Sequence, residues 1–265
     1  MGSKTLHLIV SCTKRKSLEV PTELQMRRFT QKNIRTKLNR WVKAIDSSPS
    51  ISLRAFDLYI GDHWSVVRDI YKHAGLLNNV KLHVWVCSAG YGLVNIEAKL
   101  KPYSATFSSG DIDSIEVSSE SNDRETWWDG FASSDISGIN SPRSIRELMK
   151  NASSDTFLFC LSDSYLRSVG KDLTLGINSG IEPENILILS TGHKGTGILG
   201  THQIPSSSTL TKHLGGSLNS LNTRVARMMI MDASKYPLVL GVQKKRMSSL
   251  LKTLSIKALE IWMST

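Results

Sequence analysis

The sequence predicts an α/β protein: a three-layer α/β/α domain built around a four-stranded parallel sheet. Four short apolar runs, separated by helical patterns, carry this prediction. Their apolar residues do not alternate with polar ones, which is typical of parallel strands covered on both faces. With 265 residues, 40% of them hydrophobic, the chain can bury such a core as a single domain over 1–265. The four runs are 6–11, 80–87, 156–161 and 185–190.

The first strand ends in a basic loop, Cys12-Thr13-Lys14-Arg15-Lys16. We expect this loop at the edge of the sheet where open α/β folds bind their ligands. A long helical pattern follows, with its apolar residues on one face between 34 and 45. From 13 to 54, eleven basic residues stand against three acidic ones, a net charge of +8. A solvated helix face usually mixes the two signs, so this segment predicts a surface that binds a polyanion.

The second predicted strand, 80–87, runs into the loop Ser88-Ala89-Gly90-Tyr91-Gly92-Leu93. Its glycines allow a tight turn and a close approach to a ligand, and Tyr91 offers a flat face and a hydroxyl. Residues 108–128 form a Ser-rich, acidic insertion that we expect to be a mobile flap. Beyond the fourth strand, Gly215-Gly216-Ser217 predicts the start of a helix, and a final helix is predicted over 244–265.

Composition restricts the class of protein. The net charge of +10 and the pI near 9.6 favour a polyanionic partner, DNA first. No apolar run is long enough to span a bilayer and no signal peptide is apparent, so we expect a cytoplasmic protein without a membrane partner. Cys12, Cys87 and Cys160 are too few for a disulfide framework. We interpret them as core thiols, the alternative being a zinc site shared with a histidine. No metal, organic cofactor or obligate protein partner is predicted.

Common catalytic motifs are missing. The sequence has no P-loop, no dinucleotide-binding fingerprint and no Gly-x-Ser-x-Gly elbow. Three other motifs stand in a defined order: Asp57-Leu58-Tyr59, the Ser88–Leu93 loop and Lys101-Pro102-Tyr103. With them, residues 6–107 resemble a family of uncharacterised bacterial and phage-defence domains. That family is similar to YaaA-type DNA-binding proteins and to the uracil-DNA glycosylase fold.

This resemblance implies a uracil-DNA-glycosylase-like sheet with a base pocket at the carboxyl ends of the strands. It also implies an activity, the excision of hypermodified bases from phage DNA. Two departures argue against a uracil pocket. The loop after the first strand lacks the carboxylate of uracil glycosylases, and their His-Pro-Ser-Pro motif is matched only loosely by His202-Gln203-Ile204-Pro205-Ser206.

Cleavage of an N-glycosidic bond passes through a cationic sugar and needs an anion or a base that activates water. Asp57 is the first candidate for this carboxylate and Glu97 the second. His202 is a further catalytic candidate, from the loose match to the His-Pro-Ser-Pro motif. Two other roles for Asp57 stay open at this point: it could cap the helix near Trp64 or pair with an arginine.

The remaining candidates bind DNA. The candidates for binding the flipped base offer rings, hydroxyls or a close approach of the backbone: Tyr59, Tyr91, Tyr103, Ser88 and Gly90. Of these, Tyr103 could equally be a core residue. Those for phosphate are cations or groups at a helix start: Lys14, Arg15, Lys16, Arg28, Arg35, Gly216, Ser217, Asn222 and Arg224.

The leading hypothesis is a DNA glycosylase that extrudes and removes a modified base, in anti-phage defence. A DNA-binding protein of the YaaA type without catalysis is the first alternative. A hydrolase or transferase of free nucleotides is the second, and the +8 charge spread over about forty residues argues against it.

Overall fold

The computed structural model describes residues 4–73, 80–117, 122–140, 142–191, 197–206 and 208–231. The eight strands of this part of the chain are β1 (Lys4–Ser11), β2 (Leu53–Arg54), β3 (Val80–Ser88), β4 (Gly92–Asn95), β5 (Lys99–Leu100), β6 (Thr156–Cys160), β7 (Ile186–Ser190) and β8 (Gln203–Pro205). Its α-helices are α1 (Ile34–Ser47), α2 (Ala55–Leu58), α3 (Asp62–His73), α4 (Asp123–Ala132), α5 (Ile145–Asn151), α6 (Asp163–Ile177), α7 (Gly197–His202), α8 (Thr211–Leu214) and α9 (Leu218–Met231).

The central sheet has six strands in the order β4-β3-β1-β6-β7-β8. All strands are parallel except β4, which pairs antiparallel with β3. The prediction of an α/β fold with a mainly parallel sheet is confirmed. The prediction of four parallel strands is wrong, because the chain after Ser88 turns back as a hairpin strand and the three-residue β8 extends the other edge.

The four predicted strands form the inner part of this sheet, and their apolar runs are buried on both faces. Connections between parallel strands are right-handed, and the chain leaves β1 toward β3 but leaves β6 toward β7. Helices α3 and α6, in these two connections, therefore cover opposite faces. Helix α9 packs against α3, and α4 and α5 pack against α6, which completes the three layers.

The direction in which the chain adds strands to the sheet changes between β1 and β6: β3 lies on one side of this pair and β7 on the other. In open α/β sheets the carboxyl ends of such a strand pair border a crevice in which ligands bind. The segments that leave these two strands begin at Cys12 and Leu161. This pair of strands therefore marks where to examine side chains for function.

Residues 104–117 lie over this edge of the sheet. Backbone hydrogen bonds join Ser104 to Leu24 and Met26, and Thr106 to Asp113 and Ile115. These residues include the start of the predicted 108–128 insertion, and its end forms the first turns of α4. The described part of the insertion is thus packed structure, whereas 118–121 lie outside the described residues, as does the helix predicted over 244–265.

Candidate functional site

The basic loop after β1 is held in place by its own lysine. The Lys16 ammonium donates to the carbonyl oxygens of Thr13 at 2.6 Å and of Lys14 at 3.1 Å. The next residues pair with the end of α2, where the Ser17 amide donates to the Leu58 carbonyl. Lys16 is therefore turned inward, while Lys14 and Arg15 are exposed.

Lys16 covers two tyrosine rings. Its nitrogen lies 4.3 Å from the centre of the Tyr103 ring and 5.1 Å from that of Tyr59. Burial lowers the pKa of the Lys16 amine to about 8, with the neighbouring Lys14 acting in the same direction and Cys12 opposing it. A lysine with this pKa is partly neutral near physiological pH.

Beneath Lys16, four hydroxyls and a thiol form one hydrogen-bonded cluster. With Lys16 we call these residues the Lys16 cluster: Cys12, Tyr59, Ser88, Tyr103 and Tyr165. The Tyr103 hydroxyl lies 2.7 Å from Ser88 Oγ, 2.9 Å from the Tyr59 hydroxyl and 3.3 Å from Cys12 Sγ. Cys12 Sγ in turn lies 3.0 Å from the hydroxyl of Tyr165, in the first turn of α6. The Cys12–Tyr165 contact therefore spans the crevice between β1 and β6.

The tyrosines of this cluster are neutral groups. Burial is the main cause that raises the pKa of Tyr59, Tyr103 and Tyr165 well above the usual value. Each hydroxyl can therefore donate or accept a proton through hydrogen bonds without carrying charge. Together with Lys16, they form a polar centre at the carboxyl edge of β1 and β3.

The tyrosine rings are not open to a base. Tyr59, Tyr91 and Tyr103 are 0%, 1% and 0% exposed. The Tyr91 hydroxyl interacts with the backbone of Lys101. A side chain at Gly90 would place its Cβ 2.5 Å from the Tyr103 ring, so this glycine accommodates a tyrosine. The arrangement argues for a supporting role of these residues, with Ser88 Oγ hydrogen-bonded to the hydroxyls of Tyr59 and Tyr103.

The two predicted carboxylates share an arginine at the surface. Arg54 donates to Asp57 at 2.7 Å and to Glu97 at 3.2 Å. The side chains of Asp57 and Glu97 are 41% and 42% exposed. The ion pairs weigh against a catalytic role for either, because a neighbouring cation weakens an anion that must stabilise positive charge elsewhere. Of the roles left open for Asp57, pairing with an arginine is the one seen.

His202 lies away from the Lys16 cluster. It ends α7 and directly precedes β8, and it is buried. Pro205, three residues later, is the residue that pairs with Ser190 at the carboxyl edge of β7. Strand geometry sets His202 roughly 10 Å back from that edge. It does not join the other predicted catalytic residues.

The predicted phosphate site at the start of α9 is already bound by a carboxylate. Asp62 accepts hydrogen bonds from the Ser217 amide and hydroxyl, both at 2.9 Å, and from Arg224 at 2.7 Å. These bonds strongly lower the pKa of Asp62. Gly216 packs against the Arg224 guanidinium, and Asn222 donates to the Leu161 carbonyl. A phosphate would have to displace Asp62 to bind here.

Other predicted phosphate contacts are free of such partners. Arg28 and Arg35 are exposed, as are Lys32 and Lys43. No carboxylate of the described residues lies within the 4.0 Å ion-pair distance of any of them. We call these four residues the cation surface. Lys14, in contrast, pairs with Asp111 at 2.6 Å.

The cation surface borders a groove of about 710 Å³ between α1 and α4. Arg35, Asn39 and Lys43 line one wall at helical spacing, and Thr126 and Asp129 lie on the other. The Lys37 ammonium donates to the carbonyls of Ser114 and Ile115, which ties α1 to residues 104–117. The cations therefore adjoin the segment that covers the Lys16 cluster.

Sequence reasoning missed three residues of this edge: Asp62, His63 and Tyr165. His63 Nε2 contacts the Ser11 carbonyl at 3.1 Å, and burial lowers the pKa of His63 to about 4. The available signal was position, since each follows closely after a strand or tight turn.

The predicted core thiols Cys87 and Cys160 are buried, and burial raises the pKa of both. Within the described ranges, no group of three His, Cys, Asp or Glu side chains could hold a metal.

No described helix is both long and apolar enough to cross a bilayer. No protein-family model matches the chain, and no curated protein sequence is detectably similar to it.

Proposed function

We propose that the protein is a DNA glycosylase that binds DNA through the cation surface and removes a modified base at the Lys16 cluster. The observation that carries the proposal is the position of Lys16: a half-buried amine over the rings of Tyr59 and Tyr103, at the carboxyl ends of β1 and β3. Open α/β sheets bind ligands at this edge. The sequence motifs with the glycosylase resemblance, Asp57-Leu58-Tyr59 and the Ser88 loop, meet there.

The cation surface supplies the affinity for DNA. Exposed cations without carboxylate partners release counterions from the phosphate backbone when they bind, which gives salt-dependent affinity. Arg28 and Arg35 are the main candidates for contacts with DNA phosphates. Lys14 and Arg15 lie on the same loop as Lys16. The proposal requires that a duplex held on these residues brings one backbone close to the crevice, so that a base can be extruded into it.

The substrate is expected to be a modified base of the phage type. The departures from uracil glycosylases in the first loop and around His202 argue against uracil.

A DNA-binding protein without catalysis is the second candidate. The observation that favours it is the pairing of Asp57 and Glu97 with Arg54, which leaves the cluster without an unpaired carboxylate among the described residues. Under this hypothesis the buried tyrosines stabilise the fold and Lys16 only fixes the loop.

One experiment separates the two candidates. Phage DNA containing hypermodified bases, and the same sequence with ordinary bases, is incubated with the protein and assayed for abasic sites by alkaline strand cleavage. Abasic sites in the modified DNA support the glycosylase. Salt-dependent binding to both DNAs with no abasic sites would instead establish the binding protein, and absence of binding would contradict both.

A further inference from the structure

We propose that the Lys16 amine is the nucleophile of the reaction and forms a covalent imine with C1′ of the deoxyribose. This inference rests on the proposed glycosylase function and specifies its chemical step. It makes Lys16 the catalytic residue in place of a carboxylate that activates water.

The surroundings of Lys16 differ from those of a lysine that neutralises an acid. Its nitrogen is held by two neutral carbonyl oxygens and two ring faces. No carboxylate of the described residues forms an ion pair with it. Lys14, two residues away, is exposed and pairs with Asp111. The loop thus separates a surface cation from an inward amine.

Protonation favours the same assignment. With a pKa of about 8, roughly a tenth of the Lys16 side chains are neutral at pH 7, against fewer than about one in a thousand for an ordinary lysine. A neutral amine has a lone pair and is a nucleophile, and lysines in such surroundings form imines with carbonyl carbons. The geometry holds this amine 4.3 Å from the Tyr103 ring.

In this proposal, protons pass through the hydroxyls of the two tyrosines whose rings lie under the amine. The Tyr103 hydroxyl contacts Ser88 Oγ at 2.7 Å and the Tyr59 hydroxyl at 2.9 Å. All three groups are neutral and can pass a proton along the chain of hydrogen bonds. The reaction requires that two atoms accept a proton: the nitrogen of the departing base and the ring oxygen O4′ of the sugar.

The step balances without another reactant. The Lys16 nitrogen forms a bond to C1′, and the bond from C1′ to the base nitrogen breaks with its electron pair on the base. One amine proton passes to the departing base. The nitrogen lone pair then forms the C=N bond as the C1′–O4′ bond breaks, and the second amine proton passes to O4′. Water subsequently adds to C1′, which restores the amine and leaves the aldehyde of an abasic site.

A purely structural role for Lys16 predicts a different result. In that case the ammonium only fixes the loop through Thr13 and Lys14, and no covalent bond to DNA forms. Lys16→Arg keeps the charge and the ability to donate to both carbonyls, whereas it removes the nucleophilic amine. Lys150, an exposed lysine at the end of α5, provides a matched control as Lys150→Arg.

The test is reduction of the imine. Sodium borohydride is added while the full-length protein acts on modified phage DNA, and hydride transfer to C1′ converts the imine into a stable amine. We expect a protein–DNA adduct in the wild type and in Lys150→Arg, with the added mass on the peptide that contains Lys16. Lys16→Arg should form at least a hundredfold less adduct while its melting temperature and DNA affinity stay near those of the wild type.

Other outcomes are equally decisive. Abasic sites without an adduct would overturn the inference and leave the glycosylase standing, whereas absence of both abasic sites and adduct would remove both. An adduct on a different lysine would also overturn it. If Lys16→Arg does not fold, the position of the added mass in the wild type decides alone. Independently of DNA, reductive methylation with formaldehyde at pH 7 should modify Lys16 faster than Lys14 or Lys150, and equal rates would contradict the inference.

Discussion

The side-chain nitrogen of Lys16 lies 4.3 Å from the centre of the Tyr103 ring. The ring face attracts the ammonium form, but the surrounding protein excludes water and favours the neutral amine. Burial dominates, and the pKa falls to about 8. The contact joins two of the motifs found in the sequence, the basic loop after β1 and Lys101-Pro102-Tyr103.

The pH dependence of base excision follows from this pKa. Because the neutral amine reacts, the rate should rise about tenfold per pH unit below 8 and level off above it. The groups facing Lys16 are Cys12, Lys14, Tyr59 and Tyr103, and the tyrosine pKa values are raised out of this range. Single-turnover rates from pH 6 to 9.5 measure the profile, and Cys12→Ser should lower its midpoint, because the neighbouring Cys12 raises the pKa of Lys16. A rate that is flat from pH 6 to 8 would contradict the prediction.

Gly90 should tolerate no side chain, because the Tyr103 ring occupies the space. A Cβ at Gly90 would lie 2.5 Å from two carbons of that ring, which is held between Trp41, Tyr59 and Tyr91. We expect Gly90→Ala to lower the free energy of unfolding by about 1–3 kcal/mol. Urea denaturation measures the change.

Gly170 in α6 is the matched control for Gly90. Its added Cβ would make only an ordinary contact, 3.6 Å from Leu199. Since alanine favours a helix over glycine, Gly170→Ala should raise the free energy of unfolding by about 0.5–1 kcal/mol. Equal effects at the two positions would show that the Tyr103 ring is not packed as described.

The cation surface predicts how affinity depends on salt. Arg28→Glu and Arg35→Glu together should weaken DNA binding and reduce the slope of log affinity against log salt by about two, since each phosphate contact contributes about 0.9. Fluorescence anisotropy with a labelled duplex, from 50 to 300 mM salt, measures both quantities. Lys150→Glu controls for overall charge and should leave the slope within error, because Lys150 ends the helix that precedes the amino end of β6. An unchanged slope in the double variant would place the DNA elsewhere.

Much of the fold could be predicted from the sequence, because four apolar runs bury both faces of their strands. The missed strands carry weaker signals. β8 has only three residues, and β4 follows a Gly-rich turn that resembles a ligand loop. Gly92 adopts φ +74°, which allows the hairpin, yet a glycine serves a turn and a binding loop equally well in sequence.

The site was harder to predict, because its side chains meet only in the folded chain. The sequence does not show that Lys16 turns toward Tyr59 and Tyr103 while Lys14 stays exposed. Likewise, the sequence cannot show that Arg54 reaches across 43 residues to Glu97 as well as to the nearby Asp57. The residue types were the expected ones, but their partners changed their roles.

His63 should make the protein sensitive to acid. Its pKa is lowered to about 4 in the folded state, mainly by burial, against about 6.5 when unfolded. The unfolded chain therefore binds more protons between these values, and the stability contributed by neutral His63 is present above pH 6.5 and is lost as the pH falls toward 4. Burial lowers the pKa of His7 as well, which adds in the same direction.

Denaturant unfolding at pH 7.5 and pH 5 tests this assignment. We expect the free energy of unfolding to fall over this interval in the wild type and to fall less in His63→Gln, whose side chain can still contact the Ser11 carbonyl but does not titrate. A His73→Gln variant, altered at an exposed histidine at the end of α3, is the control and should behave as the wild type. An equal fall in His63→Gln would assign the acid sensitivity to other groups.

Asp57 provides the sharpest test between water activation and amine attack. A carboxylate that stabilises the sugar cation contributes roughly 3–4 kcal/mol, a hundred- to thousandfold in rate. An exposed ion pair with Arg54 contributes less than about 1 kcal/mol to stability and nothing to the chemical step. Because Asp57 and Glu97 share Arg54, removal of one could be compensated by the other. The informative variant is therefore the double substitution Asp57→Asn with Glu97→Gln, which keeps size and hydrogen bonding while removing both charges.

We expect this double variant to cleave within tenfold of the wild type in single-turnover assays, since the Lys16 amine needs no carboxylate. Its melting temperature and DNA affinity report the structural role of the Arg54 pairs separately, and Arg54→Gln, which breaks the same pairs while keeping both carboxylates, is the control. A loss of a hundredfold or more in a folded, DNA-binding double variant, with Arg54→Gln still active, would return the chemical step to a carboxylate. In that case water would be the nucleophile, and the borohydride adduct at Lys16 should also be missing.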